Sequence, residues 1–202
     1  MTTLSDRDIL DCLKSKKIKI HPLLSWEQIQ GARIDLRLDN IFYIIRRFEK
    51  SSYDPKDYLH NKKPKAYGNI RTISYGHEFI LHPGDYVLAP LFEFVELPNN
   101  IIGRLDGRSS LGRLGVLVHS TAGSIDPGYK GSIIIELMNG GMFPVTLYPL
   151  LRVATLTLMY LTSESKYPYK GKYGEIDDFP GAESKLYKDK ELKKILKIGT
   201  YT

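Results

Sequence analysis

Apolar and polar positions alternate in short bursts along most of this chain. In Arg33-Ile34-Asp35-Leu36-Arg37-Leu38 the apolar residues fall on every second position, which puts Ile34, Leu36 and Leu38 on one face of a strand. Residues 42–45 continue in strand-like composition. Phe79-Ile80-Leu81, His82-Pro83-Gly84-Asp85 and Tyr86-Val87-Leu88-Ala89 then read as strand, turn, strand. Further strands are expected at 91–96, 101–105, 115–119, 132–138, 144–147 and 152–161. Turn residues separate them at Pro98-Asn99-Asn100, Asp126-Pro127-Gly128 and Asn139-Gly140-Gly141. So many short strands at close spacing predict an all-β barrel or sandwich rather than alternating strands and helices.

Helical spacing is confined to the two ends. Ser5 can cap a helix over 6–15, with Asp8 three residues on and Ile9, Leu10 and Leu13 on one face. Trp26 to Ile29 suggests a second short turn. Residues 46–70 carry charges, Ser, Pro and Tyr with no period and read as a long excursion or insertion. From Lys166 the chain becomes polar and rich in Gly and Tyr, then ends in an expected helix near 183–197. No repeat and no second domain are evident, so 1–202 is read as one domain.

Composition narrows the chemistry. The single cysteine, Cys12, excludes an internal disulfide and any zinc site built on paired thiolates. The five histidines (21, 60, 77, 82 and 119) lack metal-ligand spacing. No apolar stretch approaches the length of a membrane span, and the first residues lack a secretory apolar core, so a cytoplasmic protein is expected. The net charge of +6 admits a polyanionic partner. Its lysines, clustered at 56–65 and 185–197, fit a solvated surface better than a nucleic-acid groove, because exposed aromatics do not interleave with them.

The densest chemistry lies in Gly107-Arg108-Ser109-Ser110-Leu111-Gly112-Arg113-Leu114-Gly115. Glycines let a backbone approach a ligand, and guanidinium forks match phosphate oxygens. The bland alternative is a pair of surface arginines, one of them paired with Asp106 or Glu136. Glu136 sits in the apolar run Ser132–Met138. Inside the protein it would need a partner and would be the best general acid/base; on the solvent face of an edge strand it would need neither. Asp126 opens a turn that requires no catalysis to explain it, and Tyr129 can stack on a sugar or base or simply pack. His119, in an apolar strand, is read as a hydrogen-bonded core residue.

Taken together, Asp106 to Gly115, His119, Thr121-Ala122, Ile125-Asp126-Pro127-Gly128 and Glu136 closely resemble the dCTP deaminases, which share a superfamily with the trimeric dUTPases. Ser5 to Ile9, Gly31 to Leu38 and Leu81 to Gly84 extend the resemblance over most of the chain. It implies a distorted, jelly-roll-like β-barrel of the dUTPase type, assembled as a homotrimer with active sites between subunits. Mg²⁺ would be carried on the triphosphate, and zinc would not be needed. Glu136 would be the base that activates water, with Ser109 and the Ala122 carbonyl positioning that water and Arg113 favouring the ionised carboxylate. Arg108, Ser109, Ser110, Arg113, Asp126, Tyr129, Tyr169 and Lys172 would bind the nucleotide. The expected reaction is deamination of dCTP to dUTP and ammonia, which supplies thymidylate synthesis. The alternative is a bifunctional enzyme releasing dUMP and pyrophosphate, with dUTP as a second substrate, dTTP as a candidate inhibitor and Asp126 acting in the second step. Thr121-Ala122-Gly123-Ser124-Ile125-Asp126 resembles the bifunctional members, where some bacterial deaminases carry His-Arg in place of Gly123-Ser124. The family's C-terminal lid places a Gln shortly after Lys-Tyr; here Lys172-Tyr173 is followed by no Gln. A pure dUTPase is disfavoured, because the Gly-rich, Arg- and Phe-bearing terminal motif of that group is missing. An inactive nucleotide-binding regulator is the remaining reading of a different class.

Overall fold

The computed structural model describes residues 2–46 and 68–170, with isolated positions at 52, 54, 184, 185, 191, 194 and 195. Helix α1 (Asp6–Lys14) starts where the sequence places it. The Ser5 hydroxyl accepts from the Asp8 amide and the Asp8 carboxylate accepts from the Ser5 amide, closing a capping box. The Ser5 amide bond is the main reason the Asp8 carboxyl is held below its ordinary range. Trp26–Gln28 form one 3-10 turn, and four residues after Arg108 form a second short helix, α2 (Ser109–Gly112).

Within residues 2–46 and 68–170 the rest of the regular structure is antiparallel sheet. The first sheet orders β11 (Ser124–Ile125), β9 (Ile101–Gly107), β14 (Arg152–Tyr160), β4 (Arg33–Arg37) and β3 (Ile29–Gln30), with β1 (Thr2–Thr3) on β14. The second orders β10 (Val116–Leu117), β12 (Lys130–Asn139), β8 (Tyr86–Glu96), β5 (Ile41–Ile45) and β6 (Gly68–Thr72), with β2 (Lys19–His21) on β8. A two-stranded ladder joins β13 (Val145–Leu147) to β7 (Phe79–Leu81). Buried aliphatic residues of both large sheets form one core, including Ile34, Leu36, Leu105, Ile135, Leu137 and Leu156. Burying such side chains is the main drive for the fold.

The expected mainly-β architecture therefore holds, with four differences in detail. Segments 86–89 and 91–96 are one strand, β8, that carries Pro90. The ladder with β12 slips between Ser132 and Ile134, so the missing proline amide falls at an irregularity that tolerates it. The excursion ends earlier than its composition suggests: β6 begins at Gly68 and pairs along β5, with the Tyr43 ring occupying the space a Gly68 side chain would need. Strand 115–119 shortens to Val116–Leu117. Strands β1, β2, β3 and β11 are two or three residues long and carry too few positions to show a period. The expected C-terminal helix falls mostly outside the described residues, as does most of 46–67.

Candidate active site

Glu136 lies on β12, between β10 and β8, so it is not on an edge strand. Ile133, Ile135 and Leu137 point into the core, and alternation turns Ile134, Glu136 and Met138 to the outer face, where Glu136 is half-buried. Neither reading of its position was complete: the carboxylate is outside the core but sheltered. Its Oε2 accepts from the Ser120 amide at 2.9 Å, and its own amide donates to the Val118 carbonyl at 2.9 Å. Tyr86, opposite Met138 in the β8–β12 ladder, stands on the same face as Glu136. Burial, then the Glu136 charge, pushes the Tyr86 phenol up, so it stays protonated.

Ser120 lies in the loop 118–123 that crosses from β10 to β11, followed by Thr121, Ala122 and Gly123. Thr121 and Ala122 are exposed. Gly123 packs closely: a Cβ there would come within 3.0 Å of the Leu105 carbonyl and 3.2 Å of the His119 ring. His119 departs from the expectation of a hydrogen-bonded core residue: it is half-buried, and its Nδ1 is buried without a hydrogen-bond partner among the described residues.

Arg108 follows β9 at the start of α2 and is neither free nor paired with Asp106 or Glu136. Its Nη2 lies 3.5 Å from the Asp35 carboxylate, and its Nη1 donates to the Arg152 carbonyl at 3.2 Å. Arg152 reaches the same Asp35 oxygen at 3.3 Å, and the Arg33 Nε stands 4.0 Å from the other. Asp106 instead pairs with Arg104 at 3.4 Å. Asp35 is 1% exposed while Arg108 and Arg152 retain 30% and 28%. Three guanidinium groups on one carboxylate leave excess positive charge at the surface, beside the exposed Ser109 and Ser110. That is an anion-binding arrangement with its arginines already held. Asp35 and Arg152 were missed because each reads as an ordinary polar position in a strand.

Arg113 caps the end of α2, is exposed, and makes no ion pair with Glu136 among the described residues. Asp126 is exposed at the head of its turn, which the Tyr129 amide closes on the Asp126 carbonyl at 3.1 Å. Tyr129 is buried, its hydroxyl donating to the Ser132 carbonyl at 3.0 Å, and burial pushes its phenol well up. Tyr169 packs on this turn: its amide donates to the Pro127 carbonyl at 2.8 Å, and its ring lies 5.6 Å from that of Tyr129. Gly128, at φ +81°, allows the close passage, because a side chain there would strike Pro168. Lys172 lies outside the described residues. No cluster of three or more His, Cys, Asp or Glu is placed to hold a metal ion among the described residues. None of their helices is long and apolar enough to cross a membrane.

A family model described as dCTP deaminase-like matches residues 3–161. The chain belongs to the dCTP deaminase-like family. Within it, the chain is 38% identical over 199 residues to the dUMP-forming dCTP deaminase of Methanobrevibacter smithii, covering 96% of this chain and 100% of the relative. It is 40% identical to the dUMP-forming enzyme of Nanoarchaeum equitans, over 92% and 98% of the two chains. The dCTP deaminase of Alteromonas mediterranea is 39% identical over 84% and 87%. The solved dCTP deaminase of Agrobacterium tumefaciens shares the fold of this dCTP deaminase-like chain, with a TM-score of 0.61 at 24% identity. The match spans 78% of this chain and 47% of that one.

Proposed function

We propose that this protein hydrolytically deaminates dCTP and carries the product on to dUMP and pyrophosphate. The observation that carries the reading is Glu136, half-buried, oriented by the Ser120 amide and flanked by the Thr121-Ala122-Gly123 loop. A carboxylate so placed can take a proton from water. The water oxygen then bonds to C4 of cytosine, the proton passes by way of Glu136 to the departing amine, and ammonia leaves with Glu136 ionised again. In this reading Ser109 and the Ala122 carbonyl position the water, while Arg113 stands near the reacting carboxylate.

Arg108, with Ser110, takes the triphosphate, and the substrate arrives with Mg²⁺ on its phosphates. Asp126, Tyr129 and Tyr169 form the sugar end of the site, with Lys172 in the closing segment. Glu136 faces outward from the second sheet and the Asp35–Arg108–Arg152 group outward from the first, so the two look away from each other across the core. A nucleotide that needs both is served by two copies of the chain, in keeping with a homotrimer.

The dUMP-forming names of two of the relatives and the Gly123 packing support the bifunctional form over release of dUTP. The plain dCTP deaminase of A. mediterranea keeps dUTP release as the second reading. Incubation with dCTP and Mg²⁺, followed by chromatography, decides between them: dUMP without free dUTP is expected, and dUTP alone would leave the deaminase only. Glu136→Gln should lower ammonia release by roughly 10³-fold or more while nucleotide binding persists. Near wild-type deamination by that variant would remove Glu136 from the mechanism.

A further inference from the structure

The end of β12 carries a buried polar side chain that the proposed reaction does not use. Asn139 falls in the inward phase of the strand with Ile135 and Leu137, and is 1% exposed. Its amide nitrogen donates to the Leu81 carbonyl at 2.8 Å and to the Phe143 carbonyl at 2.9 Å, and its oxygen accepts from the Gly141 amide at 2.9 Å. One side chain therefore ties the end of β7 to both sides of the turn that leaves β12. Of side chains that size, only an amide offers two donors and an acceptor together.

The turn so held is the seat of another segment. The Gly140 amide donates to the Gly115 carbonyl at 2.8 Å. A Cβ on Gly141 would come within 2.6 Å of the Leu114 carbonyl, and one on Gly115, at φ +85°, would strike the Gly141 backbone. Backbone thus rests directly on backbone. From Gly115 the placement passes back along the short helix: the Gly115 amide donates to the Gly112 carbonyl at 3.0 Å, the Leu114 amide to the Leu111 carbonyl at 2.9 Å and the Arg113 amide to the Ser109 carbonyl at 3.0 Å. We infer that Asn139 is a positioning residue for the reaction: through the seat of Gly141 on Gly115 it fixes where α2 presents Ser109 and Arg113. The inference rests on the proposed roles of those two side chains.

This arrangement divides kcat from KM. Arg108, which takes the triphosphate in the proposed function, precedes α2 and is held by Asp35 and the Arg152 carbonyl, not by the seat. Ser109 and Arg113, which act at the reacting centre in that function, move with Gly115. Core packing alone does not account for the amide. An apolar residue at 139 would continue the inward phase of Leu137, but it would leave the Gly141 amide and the Leu81 and Phe143 carbonyls without this partner.

The test is Asn139→Ala and Gly141→Ala in the full-length protein, with dCTP–Mg²⁺ as substrate and each assay run well below the variant's own Tm. Gly141 lies in a turn at the surface, so its added methyl group displaces Leu114 while the core stays filled. That variant provides the reading if Asn139→Ala does not fold. In both, kcat for ammonia release should fall about tenfold with KM changed by less than about twofold, the effect of misplacing groups at the reacting centre. Ile9→Ala, which opens a cavity in the core under α1, is the control for stability alone: Tm should fall and kcat should stay. Wild-type kcat in the folded seat variants overturns the proposal, and so does a rise in KM with kcat unchanged. Ser109→Ala, measured alongside, separates the two failures. If it is inactive while both seat variants match wild type, only the role of Asn139 falls. If it keeps full activity, the placement of α2 at the reacting centre falls, and this inference with it.

Discussion

A single buried carboxylate organises the phosphate end of the candidate site. Arg152 stands directly opposite Arg37 in the β14–β4 ladder, and Arg108 reaches over from the end of β9, so three cations crowd one end of a sheet. Like charges so close would repel without an anion among them, and Asp35 supplies it from 3.3 and 3.5 Å. Held this way, the two guanidiniums would lose little further freedom on taking a phosphate in the proposed function. Asp35→Asn keeps the size of the side chain and removes the charge that holds them. KM for dCTP should rise about tenfold, the worth of roughly one charge-assisted hydrogen bond, with kcat changed by less than about twofold. Steady-state kinetics at two salt concentrations would measure this. A fall in KM would mean that total positive charge, rather than the placement of Arg108 and Arg152, governs binding.

Among the secondary-structure elements, a buried polar relay fixes where β4 lies and therefore where Asp35 points. Glu93 on β8 is 0% exposed; it accepts from the Gln28 side chain at 2.8 Å and from the Arg37 amide at 2.8 Å. Gln28 also donates to the Asp35 carbonyl at 2.9 Å and accepts from the Leu24 amide and the Arg37 side chain. Burial pushes the Glu93 carboxyl up, against the opposing pull of the Arg37 amide and Gln28. Between its unfolded and folded pKa values the native state binds the extra proton, so this group's contribution to stability declines as pH rises through that window and stays lower above it. Gln28→Ala removes a donor to the ionised form and widens that window. It should destabilise the fold by about 1–3 kcal/mol, more at pH 8 than at pH 5, as urea denaturation at the two values would show. An equal loss at both would mean that Glu93 is not the group responding. The sequence could not display this relay. Glu93 falls in the inward phase of β8 with Leu91 and Val95, and Gln28 in a three-residue turn, and neither position names the partner that buries it. The long strands β12 and β14, the capped helix and the Gly-rich turns were legible because each is specified by its own neighbours. Glu136 was legible as a lone acid in an apolar run. Its donor was not, because Ser120 contributes a backbone amide, which no side-chain pattern displays.

At the scale of the whole molecule, the alternation of strands separates the proposed site into two halves. Glu136, Tyr86 and Ser120 lie outside the second sheet, and Asp35, Arg108 and Arg152 lie outside the first, with the common core between them. The crossing loop 118–125 joins the sheets along one edge, and the segment up to Tyr169 is tied down at the Asp126–Tyr129 turn, so neither half is free to swing round to the other. In the proposed function, where one nucleotide uses both halves, its site spans two copies of the chain. Two individually inactive variants, Glu136→Gln and Arg108→Ala, should then complement each other. Unfolding them together and refolding the mixture gives assemblies in which a random site draws an intact half from each neighbour about a quarter of the time. Activity should recover to about that fraction of wild type, while each variant refolded alone stays inactive. A mixture that forms trimers by light scattering yet recovers nothing would mean that Glu136 and Arg108 of the same chain serve one nucleotide, by a path around the sheet edge rather than across an interface.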